Sequence, residues 1–133
     1  MANIKSTLTL SSTTLFPNPA GVTVSPTNQI DGNSDFQKIT IPANGTSTVY
    51  GPSLYADPSD TVYLYAGAPA TNTGSLTLRY TDVNSTSSVF ATLRPGDFMY
   101  LPMYVPTSNV TMEAINESGA NSNDINVFWG ARS

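Results

Sequence analysis

Apolar and polar residues alternate with a period of two along most of the chain. Leu76, Leu78 and Tyr80 occupy one side of a representative segment, and Thr77 and Arg79 occupy the other. Alternation over about four to eight residues is typical of a β-strand with one buried face, whereas a helix repeats its apolar positions about every three to four residues. No stretch keeps a helical repeat for three turns, so the pattern predicts an all-β protein.

Ten short segments favour strands, and turn-forming residues such as Asp31-Gly32-Asn33, Asn44-Gly45 and Pro95-Gly96 separate them. The segments are residues 4–10, 22–24, 36–41, 47–50, 61–66, 75–80, 88–93, 97–101, 109–115 and 125–129. Strands of this length and spacing predict an antiparallel β-sandwich that is jelly-roll-like, with about eight to ten short strands. Because the length fits one domain, we expect residues 1–133 to form a single β-sandwich domain.

The apolar side of each predicted strand supplies the predicted core, because these side chains leave water when two sheets pack together. The residues expected there are Val22, Ile39, Ile41, Leu76, Leu78, Val89, Leu93, Val110, Met112, Ile125 and Val127. A chain of this length buries roughly two-thirds of the surface that its unfolded form exposes, so the core needs no covalent staple.

Two predicted strands, residues 61–66 and 97–105, are apolar on both faces. A two-layer antiparallel protein normally leaves one face of each strand polar. Apolar character on both faces therefore indicates either a doubly covered central strand or a contact with another chain. We favour the contact, because aromatic residues and methionine are enriched at interface centres. The predicted interface residues are Tyr63, Tyr65, Met99, Leu101 and Met103.

The composition removes the usual means of catalysis. The chain has no histidine and no cysteine, and only 14 of its 133 residues are charged. A serine or threonine nucleophile needs an adjacent base, and neither lysine stands in a Ser-x-x-Lys arrangement. Asp57 and Asp60 are the one candidate carboxylate pair, but they also fit an ordinary turn before a strand. We predict that the protein is not an enzyme and has neither catalytic residues nor a cofactor.

The segment from Asp31 to Asp35 is the best candidate for a metal site. Its oxygen-bearing side chains at alternate positions resemble the opening of a calcium loop. Phe36 and Pro42, however, stand where such a loop requires glycine and glutamate. We therefore predict an Asx-rich loop and no metal site.

The net charge of −4 and the wide separation of Arg79, Arg94 and Arg132 predict no direct contact with nucleic acid, which requires clustered basic residues. No apolar run approaches the ~20 residues of a membrane span, so no membrane contact is expected. The first eight residues lack the basic and apolar regions of a signal peptide, and export is not expected.

A sugar-binding face is an alternative use of the aromatic residues. The candidates are Tyr50, Tyr55, Tyr63, Tyr65, Tyr80, Tyr100, Tyr104 and Trp129. Most lie in predicted strands, where aromatic residues are favoured for packing alone. A carbohydrate-binding β-sandwich module therefore stays the second interpretation.

Three features point to a known type of protein: the opening Met1-Ala2-Asn3-Ile4-Lys5, the short strands rich in serine, threonine and asparagine, and residues 93–102. In the last, Pro95-Gly96 leads into an aromatic strand that ends in Leu101-Pro102. In these features the chain resembles the small all-β virion proteins of tailed bacteriophages, in particular capsid decoration (cement) proteins. The resemblance implies no catalytic residues.

It also implies a non-enzymatic protein that binds the outside of a capsid, with the major capsid protein or other virion proteins as partners. Such proteins often work as homo-oligomers, and the expected location is the virion, assembled in the host cytoplasm. A neck, tail or fibre component is the alternative within the virion.

Overall fold

The computed structural model describes residues 2–12, 20–25, 27–33, 36–51, 61–82, 84–104 and 110–132. Within these ranges the chain forms twelve strands and no helix. The strands are β1 (Ala2–Lys5), β2 (Leu8–Ser12), β3 (Ala20–Val24), β4 (Thr27–Asn33), β5 (Gln37–Ile41), β6 (Thr46–Tyr50), β7 (Thr61–Gly67), β8 (Leu76–Thr81), β9 (Ser87–Leu93), β10 (Phe98–Tyr104), β11 (Thr111–Asn116) and β12 (Asn123–Arg132). The described part of the chain therefore contains no helix able to span a membrane.

Strands β5 to β12 build a two-layer sandwich. The first sheet contains the order β5-β12-β7-β10, and the second sheet has the order β6-β11-β8-β9. All of these neighbours pair antiparallel, and the chain crosses between the two layers at most of its connections. This order is that of a double-sheet jelly roll. The predicted antiparallel, jelly-roll-like sandwich is confirmed.

The remaining strands enlarge the first sheet at one corner. Strand β12 is ten residues long and pairs with β5 through its first half and with β4 through its last residues. Strand β1 pairs with the outer side of β4 and ends the sheet. Strands β2 and β3 form a separate two-stranded ribbon.

The core lies between the two sheets and follows the predicted alternation. Most residues of the predicted core are buried there: Ile41, Leu76, Leu78, Leu93, Val110, Met112, Ile125 and Val127. Ile39 is half-buried against them. Val62, Leu64 and Trp129 join the core as well, because they point inward from the two central strands of the first sheet. Fully burying one such aliphatic side chain contributes about 1.5–3 kcal/mol.

The prediction that Val89 lies in the core is wrong, because 60% of its surface is exposed. Leu78 pairs with Ala91 across the β8–β9 ladder, but Arg79 pairs with Val89. The register shift leaves Phe90 without an opposite residue, as in a β-bulge, and turns Val89 to the outer face. The side chain of Val22 lies outside the described residues.

The turn predicted within residues 27–33 is also wrong. The predicted turn at Asp31-Gly32-Asn33 is instead the end of β4, which pairs with β1 and β12. Its sequence, TNQIDGN, lacks apolar alternation, so backbone pairing to both neighbours determines its conformation. The predicted single strand over residues 4–10 is in fact the two strands β1 and β2.

The connection from β9 to β10 is the predicted Pro95-Gly96 turn. Gly96 has a φ of 91°, a conformation that residues with a Cβ rarely adopt. The Asp97 amide donates to the Arg94 carbonyl over 2.9 Å, and the Asp97 carboxylate accepts from the Arg94 amide over 2.9 Å. The Gly96 amide also donates to the Ala68 carbonyl over 2.8 Å. These bonds fix how the two sheets join on this side of the sandwich.

Candidate binding surfaces

One side of the sandwich ends in two edge strands. Strand β9 ends the second sheet and β10 ends the first, and the Pro95-Gly96 turn joins them. Within the described residues, neither strand pairs with a further strand on its outer side. An edge of this kind presents backbone N–H and C=O groups that another strand can use.

A partly open apolar cavity of about 220 Å³ lies between these edge strands. It is lined by Tyr80, Ser88, Phe90, Leu101, Met103 and Met112. The Tyr80 phenol is neutral at pH 7 at its ordinary pKa of about 10. Burial, and secondarily the nearby Asp82 carboxylate, raise that pKa further. The cavity therefore suits an uncharged, apolar side chain.

The two edge strands differ in how well they are protected against pairing with a further strand. Natural edge strands are commonly blunted by lysine or proline. Strand β10 carries Pro102, which cannot donate a backbone hydrogen bond. Strand β9 (SSVFATL) has no proline and no charged residue, and Val89 and Phe90 are 60% and 42% exposed. We refer to β9 together with the adjoining cavity as the β9 edge. Among the described residues, the bulge at Phe90 is the one feature of this edge that opposes pairing.

A second surface lies on the outer side of the first sheet. Among the described side chains, six aromatic ones point outward there, from the start of β5 across β12 and β7 to β10. They are Phe36, Tyr63, Tyr65, Phe98, Tyr100 and Phe128. We call this set the aromatic face. Phe36 and Phe98 are the most exposed members, at 65% and 60%.

Tyr65 is the centre of the aromatic face. Its ring centroid lies 5.6 Å from that of Phe36 and 6.2 Å from that of Phe98, with interplanar angles of 33° and 25°. A Cβ on Gly67 would lie 2.5 Å from the Tyr65 hydroxyl, so the Tyr65 ring lies over the Gly67 backbone. Glycine leaves the space that this close approach needs. Phe36, Tyr65 and Phe98 thus form a cluster of three neighbouring rings on the outer side of the sheet.

Tyr63 and Tyr100 form a stacked pair at the other end of the aromatic face, with centroids 6.1 Å apart and planes within 4°. Tyr63 is only 8% exposed. The hydroxyl of Tyr100 is buried and has no hydrogen-bond partner among the residues that the structure describes. This end of the face is therefore largely covered, and the accessible part is centred on Phe36, Tyr65 and Phe98.

A polar border adjoins the accessible part. Asp124 accepts hydrogen bonds from Lys38 over 2.8 Å and from Thr40 over 2.7 Å. These bonds, that from Lys38 first, hold the pKa of the Asp124 carboxyl below its usual value despite the opposing effect of burial. Asn126 in β12 lies opposite Lys38 of β5 and opposite Gly67 of β7 in the two strand ladders. Its outward amide therefore lies between the Lys38–Asp124 ion pair and Tyr65.

The structure divides the five predicted interface residues between the two sides of the first sheet. Tyr63 and Tyr65 belong to the aromatic face, whereas Met99, Leu101 and Met103 point into the sandwich opposite Ala66, Leu64 and Val62. Met103 is 6% exposed, and Met99 and Leu101 are partly buried against the core. The chain itself accounts for most of the burial of Tyr63 and Met103. A contact with another chain stays a prediction for the set.

The other sequence candidates do not form a reactive centre in the described residues. Asp57 and Asp60 lie outside those residues, and Asp31 lies in β4. The described part of the chain holds no group of three or more metal-ligating side chains. Arg79 pairs with Glu113 directly across the β8–β11 ladder, an ion pair that stabilises the second sheet.

Phe36, Phe98 and Phe128 were not among the residues expected from the sequence to form a surface. Phe36 shares its side of the predicted strand with Lys38 and Thr40, opposite Ile39 and Ile41, so the sequence did contain one signal of an outward position. The grouping depends on β5, β12, β7 and β10 lying side by side, and that order joins segments distant in the chain.

Comparison with known proteins supports the fold. No protein-family model and no curated protein matches the chain. Among solved structures, PirA is 15% identical with a TM-score of 0.53, covering 76% of this chain and 99% of its own. The Yersinia pseudotuberculosis-derived mitogen is 14% identical with a TM-score of 0.50, covering 78% and 89%. A Bacillus endospore appendage protein is 14% identical with a TM-score of 0.44, covering 79% and 95%. At these identities the likeness is one of fold alone.

Proposed function

We propose that the chain is a non-enzymatic binding protein that works by attachment to another protein, as a structural part of a virion. Its finer role is to decorate and stabilise the outside of a capsid. The β9 edge carries this proposal. It combines backbone groups that no described strand pairs with, an uncharged strand and an apolar cavity on one side of the sandwich.

The occupant is an extended segment of the major capsid protein or of another virion protein. Its backbone would add a strand beside β9, and one of its apolar side chains would enter the cavity lined by Leu101 and Met103. Leu101 and Met103 would then act in the contact from inside the sandwich. A surface rich in serine, threonine and asparagine suits this role, since neutral hydrogen bonds depend little on salt.

Substitution of Val89 tests the proposal. Val89→Lys places a charge on the outer face of β9, where a docking strand would have to desolvate it. Val89→Thr is the matched control, because it keeps the β-branched shape without a charge. We expect Val89→Lys to lower co-sedimentation with capsids lacking the protein by at least tenfold, and Val89→Thr to bind as the parent does. Equal binding by both variants would exclude the β9 edge, and a parent that binds no capsid would exclude decoration.

The same edge can pair with a second copy of the chain, which supports the proposed homo-oligomer. Antiparallel pairing of β9 with itself is compatible with the two-fold symmetry of most homodimers. Sedimentation velocity over a concentration series should show a dimer for the parent and a monomer for Val89→Lys. A parent that stays monomeric throughout would leave capsid attachment as the sole role of the edge.

A further inference from the structure

We propose that the aromatic face, at Phe36, Tyr65 and Phe98, binds the pyranose rings of a neutral oligosaccharide. This site lies on the outer side of the first sheet and shares no residue with the β9 edge. It adds a ligand to the proposed attachment function and does not depend on it.

The ring geometry fits stacked sugars. Tyr65 lies over Gly67, and the planes of Phe36 and Phe98 are within 33° and 25° of its own. Phe36 and Phe98 are 65% and 60% exposed, so this cluster offers aromatic surface to solvent. The face of an aromatic ring is its negative pole and attracts the weakly positive C–H groups of a sugar ring. Centroid spacings of 5.6 and 6.2 Å let successive rings contact successive sugar units.

The charge distribution selects a neutral ligand. None of the six residues of the aromatic face is charged, and the adjacent Lys38 and Asp124 neutralise each other in an ion pair of 2.8 Å. An anionic glycan or a nucleic acid would require unpaired basic groups, as phosphate recognition does. The polar border instead offers hydrogen bonds to sugar hydroxyls, from the exposed Lys38 ammonium and the Asn126 amide.

The area of the face distinguishes a sugar from a second protein chain. An aromatic side chain offers about 150–250 Å² in all. With Phe36 at 65% and Phe98 at 60% exposure, and Tyr65 partly buried, the accessible platform is on the order of 300–400 Å². A standard protein interface needs about 800 Å² from each partner. The three rings alone thus supply less than half of a standard interface, and their area matches a few sugar units.

The test is an NMR titration of the isotope-labelled protein with neutral hexasaccharides of glucose, galactose, mannose and N-acetylglucosamine. A sulfated hexasaccharide is the anionic comparison. Phe36→Ala and Phe98→Ala remove one ring each. Thr48→Ala is the control, because Thr48 is exposed on the opposite sheet, in β6, and belongs neither to the aromatic face nor to the β9 edge. All three side chains are exposed, so the variants should keep the parent circular-dichroism spectrum.

We expect at least one neutral hexasaccharide to shift the resonances of Phe36, Tyr65 and Phe98. Its affinity should fall at least tenfold in Phe36→Ala and in Phe98→Ala and stay unchanged in Thr48→Ala. The proposal is overturned if the parent binds none of the neutral sugars, if it prefers the sulfated one, or if Thr48→Ala weakens binding equally. Loss of capsid binding in Phe36→Ala would instead assign the face to a protein contact. Capsid binding by Val89→Lys is independent of these results.

Discussion

At the scale of single residues, two buried asparagines hold one end of the sandwich together. Asn116 and Asn123 are 0% and 1% exposed, and the Asn123 amide donates to the Asn116 carbonyl oxygen over 2.9 Å. The Asn116 amide also donates to three backbone carbonyls, those of Ile41, Pro42 and Asn121, at 2.9–3.1 Å. These bonds tie the β5–β6 turn to the β11–β12 connection.

We predict that Asn116→Ala lowers the free energy of unfolding by about 2–4 kcal/mol, because the buried Ile41 carbonyl loses its side-chain donor and the buried Asn123 amide loses its acceptor. Urea unfolding followed by circular dichroism measures the change. Asn126→Ala is the control, since the Asn126 side chain points outward and its removal should cost less than about 0.5 kcal/mol. Equal costs in the two variants would contradict a structural role for the buried amide.

The sequence did not reveal these asparagines. Twelve asparagines occur among many serines and threonines, and nothing in the local pattern distinguishes Asn116 or Asn123 from the exposed ones. Their burial follows from the meeting of two connections that are far apart in the chain, since Asn116 bonds to Ile41 across 75 residues.

At the scale of strands, alternation predicted β5 to β12 well because each of these strands has one face in the core. The alternation gave wrong predictions where something other than core packing determines the strand or the side to which a residue points. The bulge in the β8–β9 ladder turns Val89 outward, and β4 is held by backbone pairing without an apolar repeat. A period-two pattern carries no information on either feature.

The contact between β5 and β12 has a predicted pH dependence. Hydrogen bonds from Lys38 and Thr40 lower the pKa of Asp124 in the folded state. A carboxyl whose folded pKa is depressed stabilises the protein above its unfolded pKa of about 3.9, and that contribution is lost as the pH falls through the folded pKa. Lys38→Met should therefore be less stable than the parent at pH 7, by at most about 1 kcal/mol for so exposed a pair.

Urea unfolding at neutral and at strongly acidic pH checks this prediction. The difference between parent and Lys38→Met should shrink once Asp124 is protonated in both proteins. A difference that is constant over the whole range would show that the methylene chain of Lys38, and not its charge, stabilises the contact.

At the scale of the whole molecule, the fold class was predictable and the surfaces were not. The period of two and the turn residues determine an all-β sandwich. The order of strands follows from long-range pairing, and it alone brings Phe36 beside Tyr65 and places β9 and β10 at one open side. Apolar character on both faces of β7 and β10 was visible in the sequence. It arises from the core on one side and the aromatic face on the other.

The central claim is that a partner chain covers the β9 edge. Amide hydrogen exchange of the protein, free and bound to capsids, tests it most directly, because an added strand protects the backbone amides that it pairs with. We predict slower exchange on binding in Ser87–Leu93, and unchanged exchange in Thr46–Tyr50, the opposite edge of the same sheet. Protection of Thr46–Tyr50 with none in Ser87–Leu93, in protein that is demonstrably bound, would contradict the claim.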